Sequence, residues 1–188
     1  MPSLAKTEKI GMTRKEKNLL PSADYGEEGV TGDVIELSNF KHIPGYNCQL
    51  SSLRKTLAYY GWDYSEEMLL GLASALGMLY WEMKLMAVPF IGALNAKETE
   101  IFDRAVTRLG GQVVTHRTSS PVKAHETLKD MLKAGKPAIT FLDMAFMPYF
   151  FREDAHIPFE EAHFGGHTVV VYGLDEKNAI VYISDRLD

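Results

Sequence analysis

The only cysteine in the chain, Cys48, stands where a loop turns into a helix, and this placement constrains the fold and the chemistry more than any other feature. Pro44 and Gly45 interrupt regular structure just upstream, and Asn47 is a favourable N-cap residue. Leu50, Leu53, Leu57 and Tyr60 then recur at helical spacing up to Gly61. The pattern predicts an amphipathic helix beginning at Cys48. A thiol in the first turn feels the positive end of the helix dipole, which favours the thiolate and strengthens it as a nucleophile. The alternative is a cysteine buried as a small hydrophobe.

With 188 residues, 46% of them hydrophobic, the chain can bury one core, and a single main domain is expected. A formal charge of −5 and a pI near 5.7 exclude a general attraction to nucleic acid or to anionic membrane. One cysteine excludes an internal disulfide and suits a reducing compartment. No apolar run approaches the ~20 residues of a membrane span, and the N-terminus lacks the apolar stretch of a secretion signal. The expectation is a soluble, cytoplasmic protein.

Residues 1–36 are polar, with basic residues first and acidic residues and glycines later, and read as an extension that could dock through Leu19 and Leu20. Residues 37–188 form the domain. After the Cys48 helix, Ser65 with Glu66 and Glu67 opens a second helix through Met68, Leu69, Leu72 and Leu76, which Gly77 ends. Residues 78–91, rich in Met and aromatics, are either plain core or short strands lining an apolar groove. Asn95 and Glu98 mark the start of a third helix whose apolar face is Ile101, Phe102, Ala105, Val106 and Leu109. A strand is expected over 112–116, and Ser120 and Pro121 open a fourth helix that stops at Gly135. Strands follow over 137–143, 168–172 and 179–183, the last two joined as a hairpin through residues 175–178.

Gly165 and Gly166 precede His167 at the mouth of a strand, and Asp185 follows the partner strand of the hairpin, so His167 and Asp185 can meet at one end of the sheet. A helix-borne thiol, a strand-borne imidazole and a carboxylate that orients it come in the order used by papain-like enzymes. Each also has a structural alternative: His167 as a donor, Asp185 as a strand cap. His156, His163 and His167 with Glu160 and Glu161 match no tight ligand spacing, so no metal is assigned. The loop 144–164 is long and mixes Phe146, Met147, Tyr149, Phe150 and Phe151 with Arg152, Glu153, Asp154, Glu160 and Glu161. It fits a lid whose aromatic side shields an acyl group and whose acids attract a cationic amine, or else aromatics that complete the core under solvated acids.

The ordered set His42-x-Pro44-Gly45-x-x-Cys48, Ser52-Leu53-Arg54, Ser65-Glu66-Glu67-Met68-Leu69-x-Gly71-Leu72, Asp143-x-x-x-x-Pro148-Tyr149, His163-Phe164-Gly165-Gly166-His167 and Ser184-Asp185 resembles the N-terminal domain of butirosin biosynthesis protein H. That family of acyltransferases moves an aminoacyl group from a carrier-protein thioester onto an aminoglycoside amine, and is in turn similar to the papain-like peptidases that clip bacteriocin leader peptides. The resemblance implies an α+β, papain-like fold, with a helical half carrying Cys48 packed on an antiparallel sheet carrying His167 and Asp185. It implies catalysis by Cys48, His167 and Asp185, with Tyr149 and His163 near the substrates, while Glu160 and Glu161 are the lid acids expected to meet the amine. The peptidases use a Gln six residues before the cysteine in the oxyanion hole; here that position is His42, so His42, the Cys48 N–H, or both are the implied donors, with Asn47 as support. No cofactor is implied beyond the phosphopantetheine that carries the acyl donor. The implied partners are an acyl carrier protein and a small amine, with a homodimer left open, and a second, mostly helical domain would lie beyond these 188 residues. Two other functions stay open: hydrolysis by the same site as a peptidase or amidase, and an idle module that grips a carrier protein or leader peptide.

Overall fold

A computed structural model describes residues 7–13, 30–31, 34–82, 90–94, 99–147 and 166–186. In chain order these form β1 (Thr7–Thr13), β2 (Val30–Thr31), β3 (Val34–Glu36), α1 (Cys48–Tyr59), α2 (Glu66–Ala73), β4 (Leu76–Trp81) and β5 (Phe90–Leu94). There follow α3 (Glu100–Arg108), β6 (Gln112–Thr118), α4 (Pro121–Lys133), β7 (Ala138–Leu142), β8 (His167–Asp175) and β9 (Ile180–Ser184). The class is α+β, helices packed on an antiparallel sheet.

The main sheet runs β2-β3-β8-β7-β1-β6, with β9 also paired to β8. β8 anchors it, pairing with β7 from His167 to Val171, with β3 from Gly173 to Asp175, and with β9 from Val170 to Asp175. Alternate residues of a strand point to opposite faces, and here they feed two cores. Ile139, Phe141 and Val170 pack with Leu50, Leu53, Leu57, Leu69, Ile101 and Phe102 of α1, α2 and α3. Ala138, Val171 and Leu174 pack with Leu128, Met131 and Leu132 of α4 and with Ile35. The sheet is therefore covered on both sides, and α1 lies against β8, which carries Cys48 toward the end of the strand where His167 sits.

Most local signals hold. Asn47 caps α1, Ser65 caps α2, and Ser120 with Pro121 opens α4. Gly61, Gly110 and Gly135 follow three of the helices with positive φ, the left-handed conformation that a glycine adopts without strain. The β8–β9 hairpin turns through residues 176–179, where Asp175 accepts hydrogen bonds from the backbone and side-chain N–H groups of Asn178.

Three expectations change. The segment expected as an extension supplies strands: β1 lies between β7 and β6, paired with β6 from Thr7 to Thr13, and β3 pairs with β8. The second helix ends at Ala73, not Gly77, because Ser74 takes the left-handed conformation at φ 50° and Arg108 of α3 donates to the Leu72 carbonyl and the Ser74 hydroxyl. Leu76 and Gly77 belong instead to β4, which pairs with β5 in a separate two-stranded sheet, and Leu76, Met78 and Tyr80 are exposed. The third helix starts at Glu100 after Thr99, which makes no side-chain cap bond; Asn95 and Glu98 lie outside the described residues, as do Leu19 and Leu20. No helix among the described residues is long and apolar enough to cross a membrane.

Leu53 is fully buried where α1 meets α2, α3 and the sheet, whereas Leu76 is 81% exposed. In urea unfolding, Leu53→Ala is expected to cost about 2–5 kcal/mol and Leu76→Ser to stay within about 0.5 kcal/mol of the parent.

Candidate active site

Asn47 builds the first element. Its side-chain oxygen accepts from the Gln49 and Leu50 N–H groups, each at 3.0 Å, which starts α1 at Cys48. The cap engages those two amides and not that of Cys48. The loop ahead is held from three directions. Glu66, in the first turn of α2, accepts from the Tyr46 N–H at 3.2 Å and the Asn47 N–H at 3.2 Å. The Gly45 N–H donates to the Arg186 carbonyl at 3.0 Å, and the Arg186 guanidinium donates back to the Tyr46 carbonyl at 3.1 Å. His42 Nδ1 meets the Ser184 hydroxyl at 2.7 Å. Gly45 permits this packing: a Cβ there would stand 1.9 Å from Glu66 Oε1.

β8 and β9 supply the rest. His167 opens β8 and Asp185 directly follows β9, so the hairpin sets them side by side, and His167 Nε2 lies 2.9 Å from both carboxylate oxygens of Asp185. Both residues are buried, 4% and 8% exposed. Cys48 Sγ lies 4.0 Å from the carbonyl of Gly166, the residue before His167, and the thiol and the imidazole influence each other's protonation. Thiol, imidazole and carboxylate thus gather at one end of the sheet, with Nε2 of the imidazole turned to Asp185.

The electrostatics follow from these contacts. Burial pushes the Cys48 thiol up, but the influence of His167, with that of the Thr168 backbone, outweighs it and holds the thiol below its ordinary value. Burial likewise pushes the His167 imidazolium down, while hydrogen bonds with Asp185 and Cys48 and the charges of both raise it to about 9. The two shifts share a cause: a thiolate and an imidazolium stabilise each other, which favours the ionised pair.

Residues 47–186, about three quarters of the chain, match the family described as butirosin biosynthesis protein H, N-terminal. The chain belongs to that family. No curated protein and no solved structure matches. The butirosin biosynthesis protein H match opens on the cap of Cys48 and closes one residue past Asp185, so it spans the whole thiol, imidazole and carboxylate set; His42, Pro44 and Gly45 lie ahead of it. Of the residues expected at the site, Cys48, His167 and Asp185 come together. Asn47 caps the helix, and His42 is tied to Ser184 beside Asp185. Tyr149, Glu160, Glu161 and His163 lie outside the described residues, as do His156 and most of the expected lid. At the start of that loop, Met144–Phe146 form a single 3-10 turn capped by Asp143, with Met147 buried and Phe146 exposed.

Sequence reasoning missed Ser52, Lys55 and Glu66. The Ser52 hydroxyl donates to the Thr168 carbonyl at 3.3 Å, and Lys55, buried in the middle of α1, donates to the Asp185 carbonyl. A signal was present: Cys48, Ser52 and Lys55 share one helix face at positions i, i+4 and i+7, a polar stripe beside the leucines. Glu66 read as a helix-start acid, and only the fold turns it toward the neighbouring loop.

The thiolate form sets how Cys48 reacts. Its alkylation by iodoacetamide is expected to continue below the pH range of a free thiol. His167→Ala removes the cation that chiefly offsets burial, so the rate midpoint should rise by ~1–3 pH units. Rates measured by intact mass across pH check this, and a midpoint that does not move on substitution would reject the ion pair.

Proposed function

We propose that the chain is a cysteine-dependent acyltransferase with a papain-like arrangement of thiol, imidazole and carboxylate, acting in antibiotic biosynthesis as the family name suggests. The observation that carries the proposal is the buried His167–Asp185 pair beside Cys48 at a helix N-terminus. In this reading the Cys48 thiolate attacks the carbonyl carbon of a thioester presented on the phosphopantetheine arm of an acyl carrier protein. The tetrahedral oxyanion is met by the Cys48 N–H at the head of α1, with His42 as a second donor. Collapse breaks the donor's C–S bond, and the His167 imidazolium protonates the departing thiolate, leaving His167 neutral. A small amine then attacks the acyl-Cys48 thioester, neutral His167 takes the proton from its nitrogen, and the Cys48 thiolate leaves as the amide forms. Asp185 keeps one ring nitrogen occupied, so the other faces the sulfur throughout.

Exchange between two thioesters is near balance, so the first step needs alignment and a ready thiolate more than a strong driving force. Tyr149, Glu160, Glu161 and His163 are proposed to border the acyl and amine sites, the acids drawing a cationic acceptor by a salt-screened field. We place the reaction in the cytoplasm, where carrier proteins and free thiols coexist.

An acyl-phosphopantetheine thioester incubated with the protein is expected to leave a covalent adduct on intact mass, and Cys48→Ala to abolish it. Added amines should then divert the acyl group from free acid to amide. Labelling that persists in Cys48→Ala would reject the nucleophile, and free acid as the only product with every amine would turn the assignment to a hydrolase.

A further inference from the structure

Lysine is rarely buried without a partner, yet Lys55 is 1% exposed in the middle of α1. Its ammonium donates to the Asp185 carbonyl and feels the charges of Asp185 and Glu66. These two carboxylates do different work. Asp185 bonds His167, while Glu66 holds the Tyr46 and Asn47 amides in the loop ahead of Cys48. The Lys55 ammonium thus ties α1 to the end of β9 directly, within the field of the Glu66 carboxylate that holds the loop.

We propose that Lys55 is a positioning residue for the Cys48 and His167 pair, a buried counter-ion that neutralises Asp185 and Glu66 together and locks the Cys48 helix to the end of β9. The proposal rests on reading Cys48 as the reactive thiol. Among the described residues, Asp185 and Glu66 act on Lys55 directly; Cys48 and Arg54 share α1 with it, His167 bonds Asp185, Arg186 follows Asp185, and His42 meets Ser184 beside it. With thiolate, imidazolium, both carboxylates and the ammonium in place, the inner cluster carries one net negative charge; without the ammonium it carries two. Greater negative charge holds protons more tightly, so removing Lys55 raises the pH at which Cys48 ionises. Burial lowers Lys55 to about 8 against the pull of Asp185 and Glu66, which leaves it mostly protonated at neutral pH.

The size of the effect follows from the helix. Seven residues at 1.5 Å rise place Lys55 about 10 Å from Cys48 along α1, and a unit charge at that distance in a partly buried site moves a thiol by about one pH unit. A lysine needed only for packing would change stability and leave that midpoint in place.

Because Cys48 is the only cysteine, every iodoacetamide adduct reports on it. Alkylation rates against pH are compared for the parent, Lys55→Met, Lys55→Gln and Lys55→Arg, each checked for folding by circular dichroism. Met removes charge and donor, Gln keeps a donor without charge, and Arg keeps both. The expected result is an upward shift of about one pH unit for Met and Gln, with the Arg profile overlaying the parent. If Lys55→Met does not fold, the Gln and Arg pair decides. Folded Met or Gln variants with the parent profile overturn the proposal, and so does loss of fold in all three, which would make Lys55 purely structural. A parent profile like that of a free cysteine refutes instead the reading of Cys48; a lowered parent profile that Gln leaves unchanged refutes Lys55 alone.

Discussion

Charges taken out of water lose more hydration than their mutual attraction returns unless each also finds hydrogen bonds, and the site around Cys48 is organised by that constraint. His167 bonds the Asp185 carboxylate and shares its charge with the Cys48 thiol. Asp185 accepts from the Arg186 N–H as well as from His167, and Glu66 accepts two backbone N–H groups. Lys55 donates to the Asp185 carbonyl and feels the charges of Asp185 and Glu66. No single contact in this set would hold alone. Together they let a polar cluster lie beside an apolar core built from the same helix.

That sharing explains the unusual character of α1. One stripe, Leu50, Leu53 and Leu57, is ordinary core, while Ser51, Ser52, Lys55 and Thr56 are also buried, so the helix is covered on nearly every side. The polar stripe works because strand ends bring carbonyls to it: Thr168 for Ser52 and Asp185 for Lys55. The strand that anchors the sheet thus also sets the position of the thiol. Stability and site geometry are coupled through one interface, and packing changes under α1 are felt at Cys48.

The loop ahead of Cys48 is the other half of that coupling. It has no regular structure, yet Gly45, Tyr46 and Asn47 are tied to α2 and to Arg186 through their backbone groups. Backbone contacts tolerate many side chains, and only Gly45 is sterically specified, by the nearness of Glu66. A cap needs an amide-bearing or hydroxyl side chain at Asn47, and a close approach needs no side chain at Gly45.

The sequence by itself determined the elements whose signals lie within a turn or two. Asn47, Ser65 and Ser120 cap their helices, the leucines of α1 recur with helical period, and the β8–β9 hairpin carries His167 and Asp185 to one sheet end. Thiol, imidazole and carboxylate were legible because hairpin register and helix capping are local geometry. Only the tertiary structure decided what depends on distant partners. The polar stretch Thr7–Thr13 is a strand because β6 and β7 pair with it, and strand preference follows neighbours more than composition. Ser74 ends α2 because Arg108 of α3 is there to hold it. Lys55 and Glu66 look like surface charges in the sequence, and they become part of the site because folding brings Asp185 to one and the Cys48 loop to the other. A lysine among leucines carries no mark of its partner, since that partner lies across the whole domain and is chosen by the packing of α1 on the sheet.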